Sequence, residues 1–352
     1  MLTTLNILPP GLLDAPPTDL YRRLTGPTLI HIEGERREPL VLAALLHGNE
    51  TSAWSVLREL FAAGTPPARS VLLFVGNVAA ARAGLRNLDG QPDFNRIWLG
   101  RAGDGSHQSD APEYSVAMQV LEAVHERAPY ACVDLHNTTG RNPHHVGVAR
   151  RDPLTLALAR RFSPYTLYAE QPDTTLVNAL SATCPAFTLE CGQPGDAAGI
   201  AEAVAFVREI MASDSLAALA ESPISRSTAV CGGAQPKPAL YRTIATVTAR
   251  DSLSIAFTGT DSDDAGVDVR FVADIDRHNF RDMRAGEVLA VVRNGHRKVL
   301  EVKDFAGNDV TDRYFRVDGG ALLSSAPLFP ALLTTDARIV HQDCLCYLMD
   351  RL

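Results

Sequence analysis

Val41-Leu42-Ala43-Ala44-Leu45-Leu46-His47-Gly48-Asn49-Glu50 opens as a continuous apolar run and closes on polar side chains that carry chemistry. Six consecutive apolar residues read as a buried strand, and residues 51–63 follow with Trp54, Leu57, Leu60 and Phe61 at helical spacing. The same succession recurs along the chain. Residues 71–75, 131–135 and 186–189 read as strands, and residues 115–127, 154–162 and 199–211 as helices. Strands alternating with helices imply an α/β domain on a mainly parallel sheet. The pattern changes after about Leu219, where Ser222-Pro223 and the Gly- and Pro-containing stretch from Cys231 to Pro238 break it. Beyond it, residues 240–248, 253–258, 267–273, 288–293 and 298–302 are strand-like. We therefore expect an α/β domain over 1–220, a linker over 221–237 and a smaller β-rich domain over 238–352. Residues 100–112, rich in Gly, Asp and Ser, read as a surface loop.

The 352 residues are 46% hydrophobic and 21% charged, an ordinary globular composition. The net charge of −8 argues against nucleic acid and anionic membrane as partners, since both call for a basic face. No apolar run approaches the roughly 20 residues that span a bilayer. No basic residue precedes Arg22, and Pro9-Pro10 interrupts the first apolar stretch, so no secretory leader is read. The six cysteines form no Cys-x-x-Cys pair and are expected as reduced thiols of a cytoplasmic protein.

Several catalytic templates fail. His125-Glu126-Arg127-Ala128-Pro129 has proline where a metalloprotease helix needs its second histidine. No Gly-x-Ser-x-Gly elbow, phosphate loop or dinucleotide fingerprint is present. What remains sits at strand ends, where ligands gather in open α/β sheets. His47 and Glu50 lie at one strand-to-helix turn and together suit Zn²⁺. Alone the pair reads equally well as a surface histidine beside a helix-starting glutamate. In Asp134-Leu135-His136-Asn137, His136 ends a second strand and can converge with His47, with Asp134 as a carboxylate that orients it. Two His and one Glu leave a coordination position open, as catalytic zinc requires. Glu190 ends a third strand-like run and is a candidate general base, although an isolated glutamate is more often a solvated loop residue. Asp93-Phe94-Asn95-Arg96 offers a guanidinium and an amide for a carboxylate. In His144-His145 adjacent side chains diverge, and neither is made a ligand.

Taken in order, these pieces resemble the succinylglutamate desuccinylase/aspartoacylase family, a branch of the zinc carboxypeptidase superfamily. The resemblance rests on His47-Gly48-Asn49-Glu50, Gly76-Asn77, Asp93-Phe94-Asn95-Arg96, the run from Asp134 to Gly140, and Thr188-Leu189-Glu190-Cys191-Gly192. It implies a zinc carboxypeptidase-like α/β fold with one Zn²⁺ per chain, held by His47, Glu50 and His136. It implies Glu190 as the catalytic carboxylate, Asn95 and Arg96 as the pair holding the substrate carboxylate, and Arg86 as the arginine polarising the scissile carbonyl. There are departures. The spacing from Arg86 to Arg96 is about two residues longer than the family's, and Phe94 replaces an aliphatic residue. Leu180 stands where aspartoacylases carry an arginine. The run from His144 to Val148 resembles the desuccinylase branch, and Asn137-Thr138-Thr139 the aspartoacylase branch.

The expected activity is zinc-dependent hydrolysis of a small anionic N-acyl amino acid, of N-succinylglutamate or N-acetyl-amino-acid type. Arg86, Arg96 and the zinc ion would then form a positive pocket in an acidic molecule. The alternatives are a zinc carboxypeptidase and a non-catalytic metal- or small-molecule-binding protein. A homo-oligomer is compatible with the sequence.

Overall fold

A computed structural model describes residues 1–99, 111–224, 237–250, 252–259, 266–293 and 295–352. The core of the Gly/Asp/Ser-rich stretch (100–110) and most of the expected linker (225–236) lie outside the described residues. The chain forms two compact units, Met1–Asn137 with His144–Leu240, and Thr138–Pro143 with Tyr241–Leu352.

The first unit is built on eight strands, β1 (Thr3–Leu5), β2 (Thr28–Ile32), β3 (Arg36–Ala44), β4 (Arg69–Val75), β5 (Ala131–His136), β6 (His145–Val148), β7 (Tyr165–Tyr168) and β8 (Ala186–Glu190). Its helices are α1 (Ser52–Leu60), α2 (Val78–Ala83), α3 (Pro112–His125), α4 (Pro153–Ala159), α5 (Leu176–Leu180), α6 (Ala197–Ala212) and α7 (Leu216–Glu221). The strands are ordered β1-β2-β4-β3-β5-β8-β6-β7. The central neighbours β4, β3, β5 and β8 run parallel, while β2 runs antiparallel to β4 and β6 antiparallel to β8. The sheet is thus mixed with a parallel centre, the architecture expected from the alternation of strands and helices.

Both faces of the sheet are apolar, which explains why its strands read as unbroken hydrophobic runs. Leu40, Leu42 and Ala44 of β3 face one core with Trp54 and Leu57 of α1 and Phe206 and Val207 of α6. Val41 and Ala43 face the other, with Val116, Val120 and Val124 of α3 and Val177 of α5. The period-two alternation of a strand therefore splits one run between two helical layers. Because β3, β5 and β8 are parallel, their carboxyl ends lie side by side, and the register pairs His136 with Glu190.

The second unit contains β9 (Ala239–Ala249, whose first two residues belong to the first unit), β10 (Ile255–Phe257), β11 (Val269–Phe271), β12 (Val288–Val292), β13 (Leu300–Asp304), β14 (Phe315–Asp318), β15 (Ala321–Ser324), β16 (Pro330–Ala331) and β17 (Cys346–Arg351). Two short helices accompany them, α8 (Thr311–Tyr314) and α9 (Ala337–Gln342). β10, β11, β12, β15 and β14 form a five-stranded sheet, and β9 pairs antiparallel with β13 and β17. Thr138–Pro143, only six residues, belongs here because its polar groups find their partners here. The Arg141 N–H donates to Asp276 Oδ2 at 2.9 Å, the Leu332 N–H donates to Asn142 Oδ1 at 3.0 Å, and the Thr139 and Thr334 hydroxyls are 2.7 Å apart. Among the described residues no helix is long and apolar enough to cross a membrane. Cys132, Cys184, Cys191, Cys344 and Cys346 are buried free thiols.

Candidate metal centre

The turn from β3 into α1 carries two of the three candidate ligands. Leu45 takes a left-handed conformation (φ 56°), which costs a leucine of order 1 kcal/mol and swings the chain out of the strand. Gly48 separates His47 from Glu50 for a steric reason. A Cβ there would lie 2.1 Å from the Ala81 backbone nitrogen, so only glycine lets α2 pass. The Gly48 N–H donates to the Arg86 carbonyl at 3.1 Å, tying this turn to the segment that carries Arg86.

His47 and Glu50 converge with His136, 89 and 86 positions further along the chain. One ligand atom from each lies within 4.8 Å of the others, and all three residues are buried. His47 Nδ1 is 2.7 Å from Glu50 Oε1, and His136 Nδ1 is 2.7 Å from Glu50 Oε2. The second nitrogen of each imidazole meets its own carboxylate, His47 Nε2 with Asp93 Oδ1 at 3.0 Å and His136 Nε2 with Asp134 Oδ2 at 2.8 Å. Such carboxylate–histidine pairs fix ring orientation and tautomer. The Asn137 N–H donates to Glu50 Oε2 at 3.2 Å, and Asn137 Oδ1 accepts from the Ser52 N–H at 3.0 Å.

The remaining expected residues lie around this cluster. Arg86 Nη2 and Nε donate to Asp93 Oδ2 at 2.8 and 3.2 Å, and its Nη1 is 3.9 Å from Glu50 Oε1. The longer spacing before Arg96 does not keep Arg86 away from the cluster. Asn95 Nδ2 is 3.5 Å from His136 Nε2, while its Oδ1 accepts from the Leu176 N–H at 3.2 Å. Arg96 is partly exposed and donates from Nη1 to the Asn95 carbonyl at 2.9 Å. Glu190 ends β8 beside His136, and its Oε2 is buried without a hydrogen-bond partner among the described residues.

Glu50, Asp93, Asp134 and Glu190 bring four carboxylates against the guanidiniums of Arg86 and Arg96. Burial disfavours the Asp93 anion, but Arg86 and His47 outweigh it and hold its pKa well below the usual range. Burial is likewise overcome at Glu50, where His47 and His136 push the pKa down. Burial and Arg86 pull His47 down, yet Asp93 and Glu50 move it up on balance. Burial opposes charge on His136, and Asp134 with Glu50 drives it well up. At Glu190 burial prevails, and its carboxyl is pushed up to about 7. A divalent cation would supply positive charge among these buried carboxylates, and a His₂Glu set suits zinc.

Asp93 and Asn137 are the residues the sequence reading leaves without a role. Asp93 is visible in its motif, but nothing local says that it reaches His47, 46 positions away. Asn137 acts through its backbone N–H, which no residue pattern announces.

The fold and the cluster define an α/β protein with a candidate metal centre at the carboxyl ends of its parallel strands. Residues 37–213, half of the chain, match the profile of the succinylglutamate desuccinylase/aspartoacylase catalytic domain, and the chain belongs to that family. A succinylglutamate desuccinylase from Serratia proteamaculans is 36% identical over 89 residues, covering 24% of this chain and 27% of the relative. One from Yersinia enterocolitica is 30% identical over 151 residues, 40% of this chain and 45% of the relative. The chain thus matches less than half the length of these curated relatives. Among solved structures, a succinylglutamate desuccinylase/aspartoacylase from Rhodobacter sphaeroides aligns with a TM-score of 0.55 at 15% identity, covering 92% of this chain and 88% of that one. Murine aminoacylase 3 aligns with a TM-score of 0.51 at 18% identity, covering 91% and 97%. At these identities the likeness is one of fold.

Proposed function

We propose that the chain is a zinc-dependent amidohydrolase that cleaves the amide bond of a small anionic N-acyl amino acid, of N-succinylglutamate or N-acetyl-amino-acid type. The observation that carries this reading is the pairing of two features at adjoining strand ends. His47, Glu50 and His136 present a compact donor set, and Glu190 adjoins it with a buried, unpartnered oxygen. Membership of a family named for two N-acyl amino acid deacylases supports the substrate class. Zn²⁺ held by His47, Glu50 and His136 supplies Lewis acidity, polarising a carbonyl and lowering the pKa of water toward about 7.

The chain's own groups do the rest. Glu190 Oε2 accepts a proton from the attacking water and returns it to the departing amine nitrogen, a task suited to a carboxyl poised at about 7. Arg86, braced by Asp93, donates toward the developing oxyanion, where one such donor is worth about 3 kcal/mol. Arg96 and the Asn95 Nδ2 hold the substrate carboxylate and orient the amide. Because Asn95 Oδ1 is engaged by Leu176, only the amide nitrogen is offered to the ligand. We assign the catalytic domain to residues 1–220, the linker to 221–237 and the β-rich domain to 238–352, in a cytoplasmic enzyme that acts on neither nucleic acid nor membrane.

The test is hydrolysis of N-succinyl-, N-acetyl- and N-formyl-amino acids by protein of measured metal content, beside a panel of small peptides. Release of free amino acid from the acylated set is expected. Cleavage of the peptides alone would move the reaction to a carboxypeptidase. Bound zinc with no hydrolysis of either set would sink the enzymatic reading.

A further inference from the structure

His144 takes no part in the donor set, yet its imidazole lies behind the turn that leaves Glu190. Its Nε2 is 3.1 Å from Asp196 Oδ2, and its side chain is 26% exposed. The other oxygen of Asp196 caps α6, accepting from the Ala198 and Gly199 N–H groups at 3.0 and 3.1 Å. Two glycines are shaped around the same point. A Cβ on Gly192, which has φ +79°, would lie 2.5 Å from Asp196 Oδ2 and 3.0 Å from His144 Nε2. A Cβ on Gly199 would lie 2.0 Å from the Cys191 carbonyl oxygen and 3.0 Å from His144 Nε2. The first turn of α6, the imidazole and the residue after Glu190 are therefore in close contact.

Two further ties complete the turn from Cys191 to Asp196. The Cys191 N–H donates to the His136 carbonyl at 3.0 Å, and the Gly195 N–H donates to Ser52 Oγ at 3.3 Å. Both lead to elements that carry the metal-ligand candidates. The His144–Asp196 pair is the third tie, and it approaches from β6. The His144 backbone is itself held, since its carbonyl accepts from Ser163 Oγ at 2.6 Å. His145 next to it stands opposite Glu190 in the β6–β8 register.

We infer that His144 is a positioning residue for Glu190, acting through Asp196 and the Gly192 turn to keep the Glu190 carboxyl seated in its buried site. The inference rests on the reading of Glu190 as the proton-carrying carboxylate. Among the charged groups that act on Glu190 are His136, Glu50, His47 and Asp134. Loosening the turn frees the chain that follows Glu190.

The experiment compares wild type with His144→Ala and His144→Gln, the latter retaining a side-chain donor. Steady-state kinetics on the best acyl-amino acid of the panel, zinc content and the crystal structure of each variant are measured. For His144→Ala, kcat is expected to fall about tenfold, by analogy with losses at outer-shell partners, with KM and bound zinc within about twofold of wild type. In the His144→Ala structure the turn from Cys191 to Asp196 and the Glu190 carboxyl should be displaced, and His144→Gln should restore most of both their position and kcat. An undisplaced Glu190 carboxyl with kcat within about twofold overturns the inference. So does a loss of zinc or a rise in KM that accounts for the lost activity. If wild type hydrolyses nothing in the panel, the proposed function fails, and the position of Glu190 in the variant structures still decides the role of His144.

Discussion

The two halves of the candidate centre are held very differently. His47, Glu50 and His136 are clamped from several sides, each imidazole bridging Glu50 and a second carboxylate. Glu190, one strand away, keeps a buried oxygen with no hydrogen-bond partner among the described residues. Hydrogen bonds and opposite charges stabilise the ionised form of a buried carboxylate, whereas desolvation alone raises its pKa. The same residue type therefore becomes a permanent anion at Glu50 and a carboxyl poised at about 7 at Glu190. A donor set benefits from the first environment and a proton carrier from the second.

The largest expected effect comes from dismantling the clamped half. Removing zinc with a chelator, or replacing His136 by Ala, should abolish hydrolysis by more than about a thousandfold. Added zinc should restore the chelated wild type and not the variant. Activity of His136→Ala equal to wild type would break the assignment of this half.

Next comes the poised half. Glu190→Gln is expected to lower kcat by about 10²–10⁴-fold while zinc content stays that of wild type. Simultaneous loss of zinc would erase the distinction between the two halves. A smaller effect addresses the outer carboxylates. Asp93→Ala and Asp134→Ala should each weaken zinc affinity by about 10–100-fold, read by competition with a chromogenic chelator. If either variant binds zinc like wild type, its carboxylate does not steady the histidine it touches.

The smallest effect is on stability, and it has a defined sign. Burial raises the Glu190 pKa from 4.5 to about 7 in the folded protein. The unfolded chain then loses this proton more readily, so Glu190 progressively destabilises the metal-free fold as pH rises through that interval. Glu190→Gln should be more stable than wild type in chelator, by about 1–3 kcal/mol at pH 8 and by markedly less at pH 5. Urea unfolding at the two pH values measures this. A gap that is the same at both would mean that Glu190 is not desolvated.

Much of this was legible before any coordinates. Residues 131–135 read as a strand and β5 spans Ala131–His136; residues 199–211 read as a helix and α6 spans Ala197–Ala212. Long elements with a two-sided apolar pattern announce themselves because burial demands that pattern. The short strands β6, β7 and β16, of two to four residues, carry too little periodicity to be seen. Thr138–Pro143 is equally silent, since its place follows from partners such as Asp276 and Leu332, more than 130 positions away.

The sequence by itself determined that the chain alternates strands and helices, that metal-capable side chains stand at strand ends, and that their motifs follow a family's order. Local patterning suffices for that, because strand and helix periods and the chemistry of His, Glu and Arg are properties of neighbouring residues. Only the tertiary structure decided which groups share a buried volume. The β3-β5-β8 neighbourhood places Glu190 beside His136, and Asp93 comes between His47 and Arg86. Those juxtapositions set the charge balance and the pKa values, since both depend on distance and burial in space. They bring the carboxyl groups of Glu50, Asp93, Asp134 and Glu190 together with Arg86 around the candidate donor set.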